Sequence, residues 1–281
     1  MQWWQAIVLG LTQGLTEFLP VSSSGHLTLL QRVFGVDIGG AELFFNIILH
    51  IGTLASVCII FWREIISLFK RPYKRLLYLA VASVPAGVAG VLLDDLIEDS
   101  LMGGKYVGAV LAVFFAVTAG MLFFTEMFVR RRRRAGGIGG ALPICWRTAL
   151  PMGFAQAVAI LPGISRSGST ICAGTLAGGD ADEVSKFSFL MSVPVILGSF
   201  LLSLVKGIAD SETGLKYSFE VAGPQFGACI AIGLIVSAIS GLVAINVMLR
   251  AIRKANYRWF SLYLVLLSAA CIVLQCLGLF R

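Results

Sequence analysis

"TEFLPVSSSGH", residues 16–26, breaks an apolar stretch with a carboxylate, a proline, three serines, a glycine and a histidine. A second stretch, "LPGISRSGST" at 161–170, does the same with an arginine in place of the acid. Laying residues 10–25 over 153–168, a constant offset of 143, aligns Gly10 with Gly153, Gln13 with Gln156, Ser22 with Ser165, Ser24 with Ser167 and Gly25 with Gly168. Ala6 falls on Ala149, and Pro20 and Pro162 precede the serines one register apart. Matched polar interruptions, each followed by three apolar runs, point to a duplicated chain.

Those runs are residues 41–62, 76–94, 107–129, 187–205, 225–249 and 260–280. Each suits a helix of about 20 residues crossing about 30 Å of hydrocarbon. Of the 281 residues, 58% are hydrophobic and 13% charged, outside soluble-domain usage. No ten-residue alternation appears, so helices are expected rather than a barrel. The net charge of +7 does not imply nucleic acid. Its basic residues stand in blocks beside the apolar runs: Arg63, Lys70, Arg71, Lys74 and Arg75; Arg130 to Arg134; Arg250, Arg253, Lys254 and Arg258. Short loops rich in such residues mark the cytoplasmic side, and Trp62, Tyr73, Trp146, Tyr257 and Trp259 beside them read as an interfacial belt in contact with phospholipid. The acids Asp94, Asp95, Glu98, Asp99, Asp210, Glu212 and Glu220 fall in the intervening loops, expected outside. The six cysteines show no metal or redox spacing and read as small hydrophobes. The opening Met1-Gln2-Trp3-Trp4 carries no basic region, so no signal peptide is expected to be removed.

Counting crossings from the basic blocks leaves 135–183 to leave and return on the cytoplasmic side, in pieces too short for two crossings and broken at Pro162 and Gly163. Such backbone is tolerated at depth only when buried in protein or lining a cavity. The reading is an all-α integral membrane protein with an inverted-topology repeat. Each half has one re-entrant helix-loop-helix, about 3–36 or 147–178, plus three transmembrane helices. The halves are 1–134 and 135–281. Three spans per half is odd, so the copies insert oppositely and their broken helices meet near mid-membrane.

Gln13 and Glu17 are four apart and share a helix face. Glu17 is the one acid deep in an apolar segment, since Glu126 has Arg130 four residues on; an intramembrane carboxylate is functional by default. A carboxylate and an amide oxygen suit a hard divalent cation that keeps waters and shares phosphate oxygens. Ser22, Ser23, Ser24 and Gly25 open a short helical stretch, placing N–H donors at an anion or simply N-capping the helix. His26 begins that stretch and is a candidate acid or base. In the second tip, Arg166 has the planar fork for phosphate, with Ser165, Ser167, Gly168, Ser169 and Thr170 around it. Its anion is either Glu17 or a substrate phosphate, and the hydroxyl-rich setting favours phosphate. Asn46, His50 and Gln156 are supporting candidates, with helix packing the simpler explanation of the first two.

At these residues the sequence resembles the undecaprenyl-diphosphate phosphatase family, also called bacitracin-resistance proteins. The carriers are "GLTQGLTEFLPVSSSGH" at 10–26, "LPGISRSGST" at 161–170 and "KFSFLMSVP" at 186–194. The resemblance implies hydrolysis of the terminal phosphate of undecaprenyl diphosphate, recycling the lipid carrier for cell-wall synthesis in the bacterial inner membrane, with Mg²⁺ or Ca²⁺. It implies a metal-linked motif at Gln13 and Glu17, an active-site serine and histidine at Ser23 and His26, and a phosphate arginine at Arg166. Glutamine at 13 leaves Glu17 as the charged ligand, and Asn46 stands where many relatives are expected to have an acid. His26 and Ser23 remain competing nucleophiles. The first hairpin entering from outside would open the site to the outer face. A secondary transporter or flippase of an anion or prenyl phosphate would show the same repeat and broken helices. A homodimer is compatible with the sequence but not specified by it.

Overall fold

The computed structural model describes every residue except 37, 39–41, 98–100, 102–103, 105, 135–141, 210–224, 254–256 and 281. The described residues form helices α1 (Trp3–Phe18), α2 (Ser23–Val33), α3 (Glu42–Ile60), α4 (Trp62–Leu68), α5 (Lys74–Asp95), α6 (Val107–Arg134), α7 (Trp146–Val158), α8 (Arg166–Leu176), α9 (Ala181–Ala209), α10 (Phe226–Arg253) and α11 (Arg258–Cys276). By length and composition, α5, α6, α9, α10 and α11 each contain a stretch able to cross a membrane. The bent pair α3–α4 supplies a sixth if it is counted as one span. The chain is an all-helical, multi-pass membrane protein. Of the loop acids expected outside, Glu98, Asp99, Asp210, Glu212 and Glu220 lie outside the described residues.

Local chemistry sets the breaks. Pro20 disfavours helical backbone in the residue before it, and Leu19 is extended (φ −74°, ψ 147°), so α1 stops at Phe18. Ser22 then takes φ 66°, the one positive φ at a non-glycine among the described residues, before α2 begins. In the second tip Gly163 makes the turn at φ 104°. With 16, 11, 13 and 11 residues, α1, α2, α7 and α8 are all too short for a full crossing. The apolar run 41–62 forms α3, which ends at Ile60; Phe61 turns, and α4 leaves at 81°.

Small residues let the helices approach closely, as expected where lipid supplies no hydrophobic drive between spans. Helix α10 lies between α1 and α3. A Cβ on Gly14 would meet Ser237 O at 2.5 Å and Gly241 N at 2.8 Å, and one on Gly52 would meet Leu234 O at 2.5 Å. Ser56 Oγ donates to Ala238 O at 2.6 Å. On the other side of the bundle, α7 lies on α5, where a Cβ on Gly153 would stand 2.7 Å from Ala82 O. Helices α6 and α11 are stitched by Ser261 Oγ donating to Ala119 O (2.8 Å) and Ser268 Oγ to Ala112 O (2.7 Å).

The helix ends sort into two groups. Arg75 at the start of α5 pairs with Glu183 at the start of α9. Glu126 near the end of α6 pairs with Arg130 at 2.5 Å and accepts from the backbone N of Arg258. Tyr78 meets Trp146 edge-on, and Leu142 bridges to Gly179, so both ends of the α7–α8 pair lie among the basic blocks. The outer ends of α1 and α2 lie elsewhere, against the start of α10, in a cluster holding Ala6, Leu27 and Phe226.

Outward faces of α5, α6 and α11 carry exposed Val84, Val88, Leu92, Phe124, Leu266 and Val273. A surface this apolar belongs against acyl chains. Trp62, Tyr73, Trp146 and Trp259 are exposed near the basic blocks, as a belt requires, whereas Tyr257 is only 2% exposed. It falls on one helical stripe with Ser261, Leu264 and Ser268, which turns inward, so the belt lacks this member. All six cysteines are free thiols.

Candidate active site

The two tips touch through reciprocal contacts. Ser22 caps α2, its Oγ accepting from Gly25 N at 3.4 Å, and also accepts from Gly163 N in the opposite tip at 3.2 Å. Ser165 caps α8 in the same way, its Oγ accepting from Gly168 N at 3.1 Å. Ser167 Oγ donates back to Leu19 O at 3.0 Å. The second residue after each cap stays beside it: the Ser22–Ser24 hydroxyls are 3.4 Å apart and the Ser165–Ser167 hydroxyls 3.3 Å apart. Glycine is required at the crossing, because a Cβ on Gly25 would stand 2.6 Å from the Phe115 ring and 3.0 Å from Gly163 Cα. Thr118 of α6 braces the second tip, donating to Gly163 O and accepting from Ser165 N, both at 3.2 Å.

At this crossing Glu17 is buried and its two oxygens are divided. Oε1 accepts from Arg166 Nη2 at 2.6 Å. Oε2 accepts from Ser23 Oγ at 2.6 Å and Gln13 Nε2 at 3.0 Å. Arg166 is the first residue of α8, where the helix dipole disfavours a cation, so its fork needs an acceptor. It has Glu17 on one side and Ser188 O at 3.3 Å on the other. Thr170 Oγ1 lies 2.6 Å from Ser188 Oγ and donates to Arg166 O at 2.9 Å, fixing the turn that carries the guanidinium. Ser169 is buried in that turn. His50 of α3 brings Nε2 to 3.6 Å from Glu17 Oε2.

His26 faces the other way. Nδ1 lies 2.6 Å from Ser22 O and must donate to it, while Nε2 lies 2.7 Å from the Tyr263 hydroxyl of α11, on which the ring stacks at 8°. Asn46 exchanges amide contacts with Gln31 of α2, the shorter at 2.8 Å. Gln156 is buried, and neither of its side-chain polar atoms finds a partner. The structure thus gathers Gln13, Glu17, Ser23, His50 and Arg166 around one carboxylate and holds His26, Asn46 and Gln156 outside that set. Sequence reasoning missed Thr118, Ser188 and Tyr263. Of these only Ser188 had a signal, standing inside the "KFSFLMSVP" stretch.

Among the described residues no three His, Cys, Asp or Glu side chains form a metal-binding group. The donor set still fits a hard cation that brings waters and phosphate oxygens with it: one carboxylate, and the buried Gln13 Oε1, which has no hydrogen-bond partner.

Residues 6–270 match the family described as Bacitracin resistance protein BacA. An undecaprenyl-diphosphatase of Carboxydothermus hydrogenoformans is 38% identical to this chain over 281 residues, covering all of both proteins. One of Parabacteroides distasonis is 33% identical, covering 98% of this chain and all of the relative. One of Thermodesulfovibrio yellowstonii is 35% identical, covering 94% of this chain and 96% of the relative. With full-length relatives at this identity and a family match spanning both tips, the chain belongs to the bacitracin resistance protein BacA family.

Proposed function

We propose that this protein is an undecaprenyl-diphosphatase, hydrolysing undecaprenyl diphosphate to undecaprenyl phosphate and inorganic phosphate between the two tips. The observation that carries the reading is the division of one buried carboxylate between a guanidinium and a serine hydroxyl, each at 2.6 Å. Two of the five Arg166 N–H donors are held by Glu17 and Ser188 O, which leaves the fork able to reach phosphoryl oxygens. The Ser23–Glu17 hydrogen bond commits the hydroxyl hydrogen to the carboxylate and leaves the oxygen lone pairs free of it for attack. The Ser23 proton follows that bond as Oγ–P forms and the P–O bond to the departing prenyl phosphate breaks; water then releases inorganic phosphate from the serine. A Mg²⁺ or Ca²⁺ ion held by Glu17 and Gln13 would neutralise charge on the diphosphate. N–H groups in the first turns of α2 and α8, those of Ser24 and Ser167 beside the capped Gly25 and Gly168, supply further phosphate donors.

The architecture is read as an inverted repeat of 1–134 and 135–281, with α1–α2 and α7–α8 re-entrant. Support comes from equivalent positions with equivalent roles: Ser22 and Ser165 as caps, Gly25 and Gly168 at the crossing, and Gly10 and Gly153 each seated on the opposite half's middle span. The two hairpins also rest their outer ends on opposite ends of the bundle. As the basic blocks mark the cytoplasm, α1 and α2 enter from outside and the site is reached from the outer face of the cytoplasmic membrane. A groove of about 370 Å³ beside His26 is lined by Leu11, Leu15, Leu29, Leu30, Tyr263 and Leu267, and suits the first isoprene units of the tail.

The purified protein in detergent, given a long-chain prenyl diphosphate and Mg²⁺, is expected to release inorganic phosphate. Transport of an intact anion without release would overturn the reading. The crossing offers a second check. Gly25→Ala, which presses on the Phe115 ring and the Gly163 backbone, is expected to lower turnover about 100-fold through misplacement near 1 Å. Gly87→Ala, with nothing within 4 Å of its Cβ, should leave turnover unchanged.

A further inference from the structure

His50 is one of two histidines in the chain and stands on α3, one turn after Asn46. Its ring is fixed from behind. Nδ1 lies 2.7 Å from the Asn46 carbonyl oxygen one turn earlier, and a carbonyl only accepts, so Nδ1 carries the hydrogen. Nε2 then faces Glu17 Oε2 at 3.6 Å. Were Nε2 also protonated, the pair should close to the roughly 2.7–2.9 Å of a charge-assisted hydrogen bond. Unprotonated, it sets a lone pair against an anionic oxygen. In that second state a cation bound to both atoms turns the repulsion into attraction.

Two further observations point the same way. A ring N–H given to a backbone carbonyl is the usual support of a metal-binding histidine, because it fixes the tautomer and aims the other nitrogen. Gln13, whose Nε2 is bonded to the same Glu17 oxygen, has a buried Oε1 with no hydrogen-bond partner. We infer that His50 Nε2 is a ligand of the divalent cation at Glu17, with Gln13 Oε1 the other neutral donor. The inference rests on the proposed role of a cation at Glu17. It makes the protein's share of the site mixed nitrogen and oxygen rather than oxygen alone, which moves its preference from Mg²⁺ toward transition-metal ions, of which Mn²⁺ is the hardest.

The test uses untagged full-length protein in detergent, loaded with Mn²⁺ alone, and reads electron spin echo modulation from coordinated nitrogen beside a binding isotherm. The wild type should bind Mn²⁺ with imidazole ¹⁴N modulation. His50→Gln should lose the modulation and weaken binding about 10-fold or more, while His26→Gln keeps both. Because the chain has two histidines, the two variants assign the signal without isotope labelling. Bound Mn²⁺ that lacks nitrogen modulation, or keeps it in His50→Gln, overturns the role of His50. If that Mn²⁺ is still lost in Glu17→Gln, the cation at Glu17 stands without it. If Glu17→Gln binds Mn²⁺ as tightly as the wild type, or the wild type binds none, the cation reading itself falls and His50 with it.

Discussion

Arg166→Ala and Glu17→Gln are each expected to lower phosphate release by about 10³-fold or more, since positioned charge does most of the work in phosphoryl transfer. Each change also leaves its partner without its counter-ion, at a cost of up to roughly 3–5 kcal/mol of stability for the buried Glu17 and less for the partly exposed Arg166. Lost turnover in a single variant could then report unfolding, and the double variant Glu17→Gln with Arg166→Gln separates the two. Removing both charges should recover much of the lost thermal stability and none of the activity. Arg166→Lys keeps the charge but cannot span Glu17 and Ser188 O as a fork, so it is expected to fall about 100-fold. Near-normal turnover in either single variant would remove the tip crossing from the chemistry.

Ser23→Ala is expected to lower turnover by about 10³-fold, within the range for loss of a nucleophile or its proton path. Acid-quenched protein incubated with terminally ³²P-labelled prenyl diphosphate should carry label on serine in the wild type and none in this variant. His26→Gln is expected to lose less, about 10-fold, because the ring is engaged by Ser22 O and the Tyr263 hydroxyl rather than by Glu17. Tyr263→Phe should resemble it. Label on histidine, or full activity in Ser23→Ala, would hand the nucleophile's role to His26.

The polar tips were legible because their residue types are expensive in an apolar setting: a carboxylate at 17, an arginine at 166 and prolines that end helices each announce themselves. Their meeting was legible too, through the constant offset between halves. What the tips lean on was not. Thr118 and Tyr263 stand on ordinary spans, where one hydroxyl in an apolar helix usually bonds its own backbone and carries no positional message. The direction of His26 was hidden for a related reason, since a ring turns toward whichever helix supplies a partner, and here that helix is α11, 237 residues away. The 81° departure of α4 follows Phe61, with neither proline nor glycine to mark it. His50 looked like a packing residue because its spacing from Asn46 is that of any helical pair; only the fold brings it beside Glu17.

The ion pair between Glu17 and Arg166 joins residues 149 apart in the chain. A ribosome adding about 5–20 residues per second needs roughly 7–30 s to make the second after the first. Throughout that interval the nascent amino-terminal half holds an acid whose guanidinium partner does not yet exist. It must either wait at the aqueous rim of the translocon or enter lipid protonated. The first route delays the final seating of α1 and α2 until α8 exists, and a chain truncated before Arg166 is then expected to leave its amino-terminal segment accessible to water-soluble thiol reagents at an introduced cysteine.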